Sequence, residues 1–535
     1  MNTPPSNDRV DACVVGAGPA GAVAARRLGE AGFRVVVLEQ GRWPDYSRAR
    51  AAEADFEINS GPEWGWNPNV RRLEEDYPVE SSDSDIDVLT YNAVGGGSVI
   101  YAAQWERNLP SDFRVRTLDG VADDWPLSYE ELRPFYERVE VDFGVSGLAG
   151  DPAFPPGVGP PLPPVPLGRM GRRVAEAHNR LGWHWWPGPN AIATRRYGAL
   201  RPCVQRAACL FGCADGAKSS ADLTHWPQAI ALGVHLVTGA RARRVVLGPD
   251  GLAGGVEWVD RDGGEHLTRA GVVIVCANGI GTPRLLLMSG GLANSSGLVG
   301  RRLMLHPFGV VTGLFEDDLD SAQGPWGQHL HSLEFYETDA ARGFVRGAKW
   351  GLQPTGGPLS VTRTWPWGDH PLWGAGFHQG VRARLGHSAM WGIIAEDLPE
   401  ESNRVVLDET LTDSDGLPAP KIIYRVGENS RRIMDFHLAR ARESLIEAGA
   451  YDTITAPQIR ETGWHQLGTA MMGTDPAGSV VDPWGRTHDV PNLFVFDGSV
   501  WPTSAGTNPT ATIAALSLRC TEHLIAERRD QKVPA

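Results

Sequence analysis

The chain has 535 residues, 42% of them hydrophobic, with 50 Lys and Arg against 64 Asp and Glu and a formal net charge of −14. That length fills two domains or one elaborated α/β domain, and an acidic balance without a basic cluster excludes a nucleic-acid partner. No run of about 18 apolar residues occurs, so no transmembrane segment is expected; six cysteines and a polar Met1–Val10 without a signal core or twin-Arg pair point to a reducing, cytoplasmic setting.

The first element is an apolar strand that runs into Gly16-Ala17-Gly18-Pro19-Ala20-Gly21, followed by an Ala-rich helix (22–31) and a second strand, Val35–Glu39. Strand, G-x-G-x-x-G turn, helix and terminal acid in this order build a pyrophosphate cradle. Gly16 permits the tight turn, Gly18 lets backbone approach phosphate, and Gly21 lets the helix pack on the strand. The helix N-terminus offers free N–H groups to the anion. Glu39 suits the hydroxyls of an adenosine ribose and disfavours a 2′-phosphate, without separating FAD from NAD.

A charged, Trp-bearing stretch without clear periodicity (43–90) precedes Gly95-Gly96-Gly97-Ser98, a second place where backbone approaches a ligand closely. Ser128, with Glu131 three residues on, forms a capping box for a helix over Tyr129–Val141. Eight prolines within 151–167 read as an extended surface connector. Cys203, Cys209 and Cys213 follow on a loop. Strand-like runs at 234–238 and 244–247 lead to the buried strand Val272–Cys276, the turn Ala277-Asn278-Gly279 and a helix over Thr282–Leu287. Residues 305–455 alternate aromatic and β-branched runs with Gly/Pro breaks and read as an antiparallel sheet with some helix. The tail returns to a strand and turn, Leu493–Gly498, and a helix over Pro509–Ala526, with Asn508 at its N-cap position and Pro509 at N1. Tryptophans at 183, 185, 186, 365, 367, 373 and 391 lie outside the nucleotide motifs; those in 365–391 read as core or lid. Lys occurs only at 218, 349, 421 and 532, a skew toward Arg that codon bias explains.

The block Gly463-Trp464-His465-Gln466-Leu467-Gly468, continuing to Asn508-Pro509-Thr510, resembles the glucose–methanol–choline (GMC) oxidoreductase family when taken with Gly16–Gly21, Gly95–Ser98, Ala277–Leu287 and Asn403–Asp408. Gly95–Phe113 and Asp124-Trp125-Pro126 look most like the FAD subunits of gluconate and related sugar dehydrogenases, with aminoglycoside 6′-dehydrogenases also similar. The resemblance implies FAD and an α/β fold (α+β overall): a Rossmann-like FAD-binding domain with an antiparallel-sheet substrate-binding domain. The expected division is 1–150, 216–304 and 459–535 for the FAD domain, 151–215 for a connector with the Cys-containing loop, and 305–458 for the substrate domain. Gly16, Gly18, Gly21 and Glu39 match ADP-binding positions. Asp497 and Gly498 match a segment beside the pyrophosphate and ribityl chain. Gly96, Gly97 and Ser98 match a loop close to the isoalloxazine, and Ala277 and Pro509 fall in further cofactor-facing segments. An Asn commonly follows the glycine loop in the family; here Tyr101 or a neighbour stands there.

His465 matches the family's catalytic base, and Asn508 the group that holds the substrate oxygen. An imidazole titrates near working pH, which suits proton removal from an alcohol. His306 is read as structural, and Asn508 also reads as a simple helix cap. The three cysteines resemble the segment that holds a [3Fe–4S] cluster in sugar dehydrogenase complexes; a Cys203–Cys213 disulfide and free thiols are the alternatives. The expected activity is FAD-dependent oxidation of a hydroxyl on a sugar, amino sugar (an aminoglycoside 6′-hydroxyl among them) or polyol, with O2 or a carrier as electron acceptor. A sterol or long-chain alcohol is the in-class alternative. A hydroxynitrile lyase or an NAD-linked dehydrogenase are the rivals from other classes. Carboxylates near His465 would favour an amino sugar; Glu396 and Asp397 are candidates, read first as a structural turn.

Overall fold

The computed structural model describes residues 9–49, 53, 56–363, 367–368 and 370–532. Met1–Asp8 and Trp365 lie outside the described residues. Two sheets organise the chain. The first orders its strands His235–Thr238, Val35–Glu39, Val10–Val15, Glu265–Val275, Ala253–Val259 and Arg241–Leu247, with Leu493–Val495 also on Glu265–Val275. Glu265–Val275 belongs to three ladders, one antiparallel and two parallel. Up to Arg269 it pairs antiparallel with Ala253–Val259, and from Ala270 it pairs parallel with Val10–Val15. This follows from composition: Glu265-His266-Leu267-Thr268-Arg269 is half exposed, whereas Val272–Val275 is buried on both faces. Helices Pro19–Glu30, Tyr129–Phe143 and Thr510–Lys532 pack together beside the parallel half. Ser128 caps the second of these: its hydroxyl accepts the Glu131 N–H at 3.3 Å, and Glu131 accepts the Ser128 N–H at 2.8 Å.

The second sheet is antiparallel in its main ladders, in the order Asp452–Ala456, Phe308–Leu314, Ser388–Ala395, Ala348–Gln353, Leu330–Ser332 and Trp186–Pro187. Every residue of its three central strands is buried. Period-two alternation divides them between two cores. Val311, Trp350, Leu352, Trp391 and Ile393 face helix Glu428–Glu447, which presents Ile433, Met434, Leu438 and Leu445. The other face carries Phe308, Lys349, Gln353 and Ile394 toward the nucleotide-binding sheet. Helix Gly168–Leu181 and strand Trp186–Pro187, from the stretch after the proline-rich connector, pack with this second sheet. Trp367 and Trp391 are core residues, whereas Trp373 is 83% exposed. Among the described residues no helix is long and apolar enough to cross a membrane.

Candidate active site

A cavity of about 700 Å³ runs between the two sheets from Glu39 to His465. Its nucleotide end is built on the first turn. Gly16 sits at φ +103°, and a Cβ there would lie 2.3 Å from the Cys276 carbonyl oxygen. A Cβ at Gly21 would lie 2.0 Å from the Gly16 carbonyl oxygen, so the helix packs on the turn only through glycine. Gly18 is different: nothing lies within 4 Å of its Cβ position. No protein atom demands glycine there, which is what backbone open to a close-approaching phosphate looks like. Glu39 is buried, accepts the N–H groups of Ala17 and Gly41 at 2.8 Å each, and is pushed by burial up to about 7. Gly96 packs on Gly18, and Gly97 again has open space around its Cβ position. Asp497 accepts the Thr282 hydroxyl at 2.5 Å and the Ser499 N–H at 2.9 Å, which ties the C-terminal strand to the turn at Ala277. Gly16, Gly18, Glu39, Gly96, Gly97, Ser98, Ala277, Asp497, Gly498 and Pro509 all line the cavity; Gly21 lies beneath it. Tyr101 lines it too, its hydroxyl donating to the Ser219 carbonyl. The N-terminal turn of Thr510–Lys532 opens onto the same space, suiting it to negative charge.

At the far end, Met304 and Leu467 exchange antiparallel backbone hydrogen bonds of 3.0 and 3.1 Å. Antiparallel pairing sets His306, two residues past Met304, opposite His465, two residues before Leu467. Their Nδ1 atoms are 2.9 Å apart. His306 Nε2 faces two acceptors, the carbonyls of Ala505 at 2.6 Å and Ser504 at 3.1 Å, so it carries the hydrogen. Burial holds His306 down at about 4, so it is neutral near pH 7 and its Nδ1 is an acceptor. His465 therefore donates Nδ1–H to His306, and its Nε2 keeps a free lone pair. Burial first, then His306 and Lys349, hold His465 well below the ordinary histidine value. The Nε2 lone pair meets the Asn508 amide nitrogen at 3.4 Å. Asn508 Oδ1 accepts from Lys349 at 3.0 Å. Thus the Asn508 side chain turns toward the cavity residues. His306, read as structural, makes a direct side-chain contact with His465. It occupies a left-handed backbone position (φ +54°), as does Ala505 (φ +56°), and such conformations concentrate at functional sites.

Of the three alternatives for Cys203, Cys209 and Cys213, the structure gives no support to a cluster. All three are free thiols, and no group of three or more His, Cys, Asp or Glu among the described residues is placed to hold a metal. Burial pushes the Cys209 thiol up to about 12. The disulfide alternative is not formed either. Lys218, buried, explains the segment: it donates to the carbonyls of Val99 at 2.7 Å, Tyr101 at 3.1 Å and Cys209 at 2.5 Å, pinning the cysteine loop to the glycine loop. Glu396 and Asp397 do not line the cavity. Asp397 accepts the Leu305 N–H at 3.0 Å and the Tyr424 hydroxyl at 2.7 Å, a structural role.

A cavity that joins a dinucleotide turn to a neutral, buried imidazole defines the chain as a nucleotide-dependent oxidoreductase. Family models described as GMC oxidoreductase match residues 10–308 and 399–517, and the chain belongs to that family. It is 39% identical to 2-methyl-1,2-propanediol dehydrogenase of Mycolicibacterium austroafricanum over 97% of this chain and 96% of that protein. It is 30% identical to paromamine 6′-oxidase of Streptomyces fradiae over 96% of this chain and 91% of that protein. A formate oxidase of Aspergillus oryzae, characterised for its FAD modification, shares the fold at TM-score 0.63 and 16% identity, covering 98% of this chain and 99% of that one.

Proposed function

We propose that the chain binds FAD along this cavity and oxidises a hydroxyl of a small neutral alcohol or polyol to a carbonyl. The observation that carries the reading is the tautomer of His465: a bare Nε2, buried, facing the cavity beside the Asn508 amide N–H. The fit to FAD rests on the open backbone at Gly18 and Gly97, the Glu39 carboxylate, and the cavity continuing past them to His465. The flavin, when bound, supplies the hydride acceptor. His465 Nε2 takes the hydroxyl proton, and Asn508 Nδ2 donates to the oxygen as alkoxide character grows. A positioned base of this kind contributes roughly 10²–10⁴-fold.

The walls around His465 support a neutral substrate. Phe308, Trp326, Ile394 and Trp464 are apolar, and Gln353 adds one amide. The charges lining that side are Arg363, Arg460 and Glu461, all exposed, and Arg460 is paired with Asp87, so the lining carries no excess of acid for an amino sugar. The diol dehydrogenase relative acts on a neutral diol, in keeping with this reading. The test is anaerobic: FAD-loaded protein is mixed with diols, neutral sugars, aminoglycosides and sterols, and flavin bleaching is followed. Small neutral diols and polyols should bleach it fastest. Faster bleaching by aminoglycosides overturns the substrate class, and no bleaching by any alcohol overturns the function.

A further inference from the structure

Behind Asn508 lies a buried cation that alcohol oxidation as described does not use. Lys349 is 0% exposed, on the strand face that looks toward the cavity. Its ammonium lies 2.8 Å from Glu106 Oε1 and 3.0 Å from Asn508 Oδ1, and it also donates to Gln104 Oε1. An amide oxygen accepts from an ammonium and an amide nitrogen cannot. Lys349 therefore decides which way round the Asn508 amide sits, and the nitrogen is left facing His465 Nε2. We propose that Lys349 is a positioning residue: it locks the Asn508 amide with its N–H toward the reacting oxygen, and Glu106 keeps the lysine in place as a cation. This rests on the reading of Asn508 as the group that holds the substrate oxygen.

Three further observations support it. Gly351, two residues along the strand, gives the ammonium room, since a Cβ there would lie 3.2 Å from Lys349 Nζ. Glu106 is held as a carboxylate: burial acts to raise it, but Lys349 and His331 override burial and bring it to about 2. The charge alternation continues outward, with His331 Nδ1 3.9 Å from Glu106 and His331 Nε2 2.8 Å from Asp151, which also meets His184 at 2.9 Å. Stability alone does not account for such a pair, because burying two charges rarely gains over apolar residues of the same volume. Nor is the lysine incidental in a chain whose cations are nearly all Arg. A compact ammonium satisfies three converging oxygens where a planar guanidinium fork does not fit.

A double-mutant cycle on the FAD-loaded protein tests it, with flavin reduction by propane-1,2-diol or glycerol, whichever reduces the parent faster. Lys349→Met should slow reduction about 10- to 100-fold, and should add nothing in an Asn508→Ala background. Effects that multiply overturn the proposal, as does full-rate Lys349→Met. Asn508→Ala at the parent rate instead overturns the reading of Asn508. Lys349→Met/Glu106→Gln repeats the measurement without an orphaned carboxylate, should the single variant fold poorly. A readout independent of turnover is the titration of His465 in 15N-histidine-labelled protein. The groups facing His465 are His306, Lys349 and Asn508, and loss of the ammonium should move its protonation to higher pH. An unmoved titration contradicts a charged Lys349 at this position.

Discussion

Replacing His306 tests the tautomer argument most directly. In His306→Leu the Nδ1–H of His465 loses its acceptor, 2.9 Å away in a site where His306 is 1% exposed. A buried donor without a partner costs about 1–3 kcal/mol. The imidazole escapes that cost by moving the hydrogen to Nε2, where a substrate oxygen accepts it, and in that form it has no lone pair toward the substrate. With a factor of ten for each 1.4 kcal/mol, the active tautomer falls by about 5- to 150-fold, and flavin reduction by the same factor. The assay is anaerobic stopped-flow reduction of the FAD-loaded variant. His306→Asn should recover much of the loss, because an amide accepts at one end and donates at the other, and asparagine tolerates the left-handed backbone at φ +54°. His306→Leu with bound FAD and reduction within about twofold of the parent, a change worth under half a kcal/mol, would refute the argument.

Other outcomes follow from the same geometry. His465→Ala should keep its FAD and lose at least about 10²-fold in reduction rate. The acid limb of the parent kcat/KM profile follows protonation of His465; since burial, His306 and Lys349 depress that protonation, the rate should stay level from neutral pH to well below 6.5 and fall only in stronger acid. A limb at the ordinary histidine position would assign the base elsewhere. Gly21→Ala places a methyl 2.0 Å from the Gly16 carbonyl oxygen, with backbone on both sides. It should lower thermal stability by about 1–3 kcal/mol and reduce FAD retention, read by melting and by flavin absorbance per protein. Gly392→Ala places a Cβ 2.6 Å from Gln353 Oε1 and 3.1 Å from the Phe308 ring, both of which line the substrate end. KM should rise severalfold while FAD content is unchanged; altered FAD content with normal KM would move that wall away from the substrate.

The parts of this molecule that local chemistry dictates were legible in the sequence. The glycine turn needs only its own strand, helix and acid, and the Ser128–Glu131 cap needs only four residues. His465 stood out only because its block resembles the family's C-terminal segment, and the structure places it on the cavity. His306 was not, since its role depends on the Met304–Leu467 pairing, which brings together segments far apart in the chain. Lys349 was hidden for a related reason: its strand alternates between two cores, and only the register of Ala348–Gln353 against Ser388–Ala395 tells which face sees the cavity. Yet a signal existed. Lys218 and Lys349, two of the four lysines, are both buried where several oxygens converge on the ammonium, in a chain that uses Arg almost everywhere else, whereas Lys421 is a surface residue paired with Asp83. The cysteines stayed ambiguous in the sequence because spacing reports neither burial nor the carbonyl cage around Lys218.

The two groups proposed to face the substrate, His465 and Asn508, share a weakness that the surrounding structure removes. An imidazole has two tautomers and a carboxamide two orientations, and only one combination presents a lone pair and an N–H to the same point. Each ambiguity is settled from behind by a buried partner with a single hydrogen-bonding option: His306, whose Nε2 must donate to the Ala505 and Ser504 carbonyls, and Lys349, which can only donate. Those partners come from different segments, one from the loop entering Phe308–Leu314 and one from Ala348–Gln353, both in the antiparallel sheet. That sheet therefore does more than cover a substrate. It sets the hydrogen-bond geometry of His465 and Asn508 on the C-terminal segment, so under the proposed roles a base and an oxygen-holding donor form only when the second sheet is packed against them.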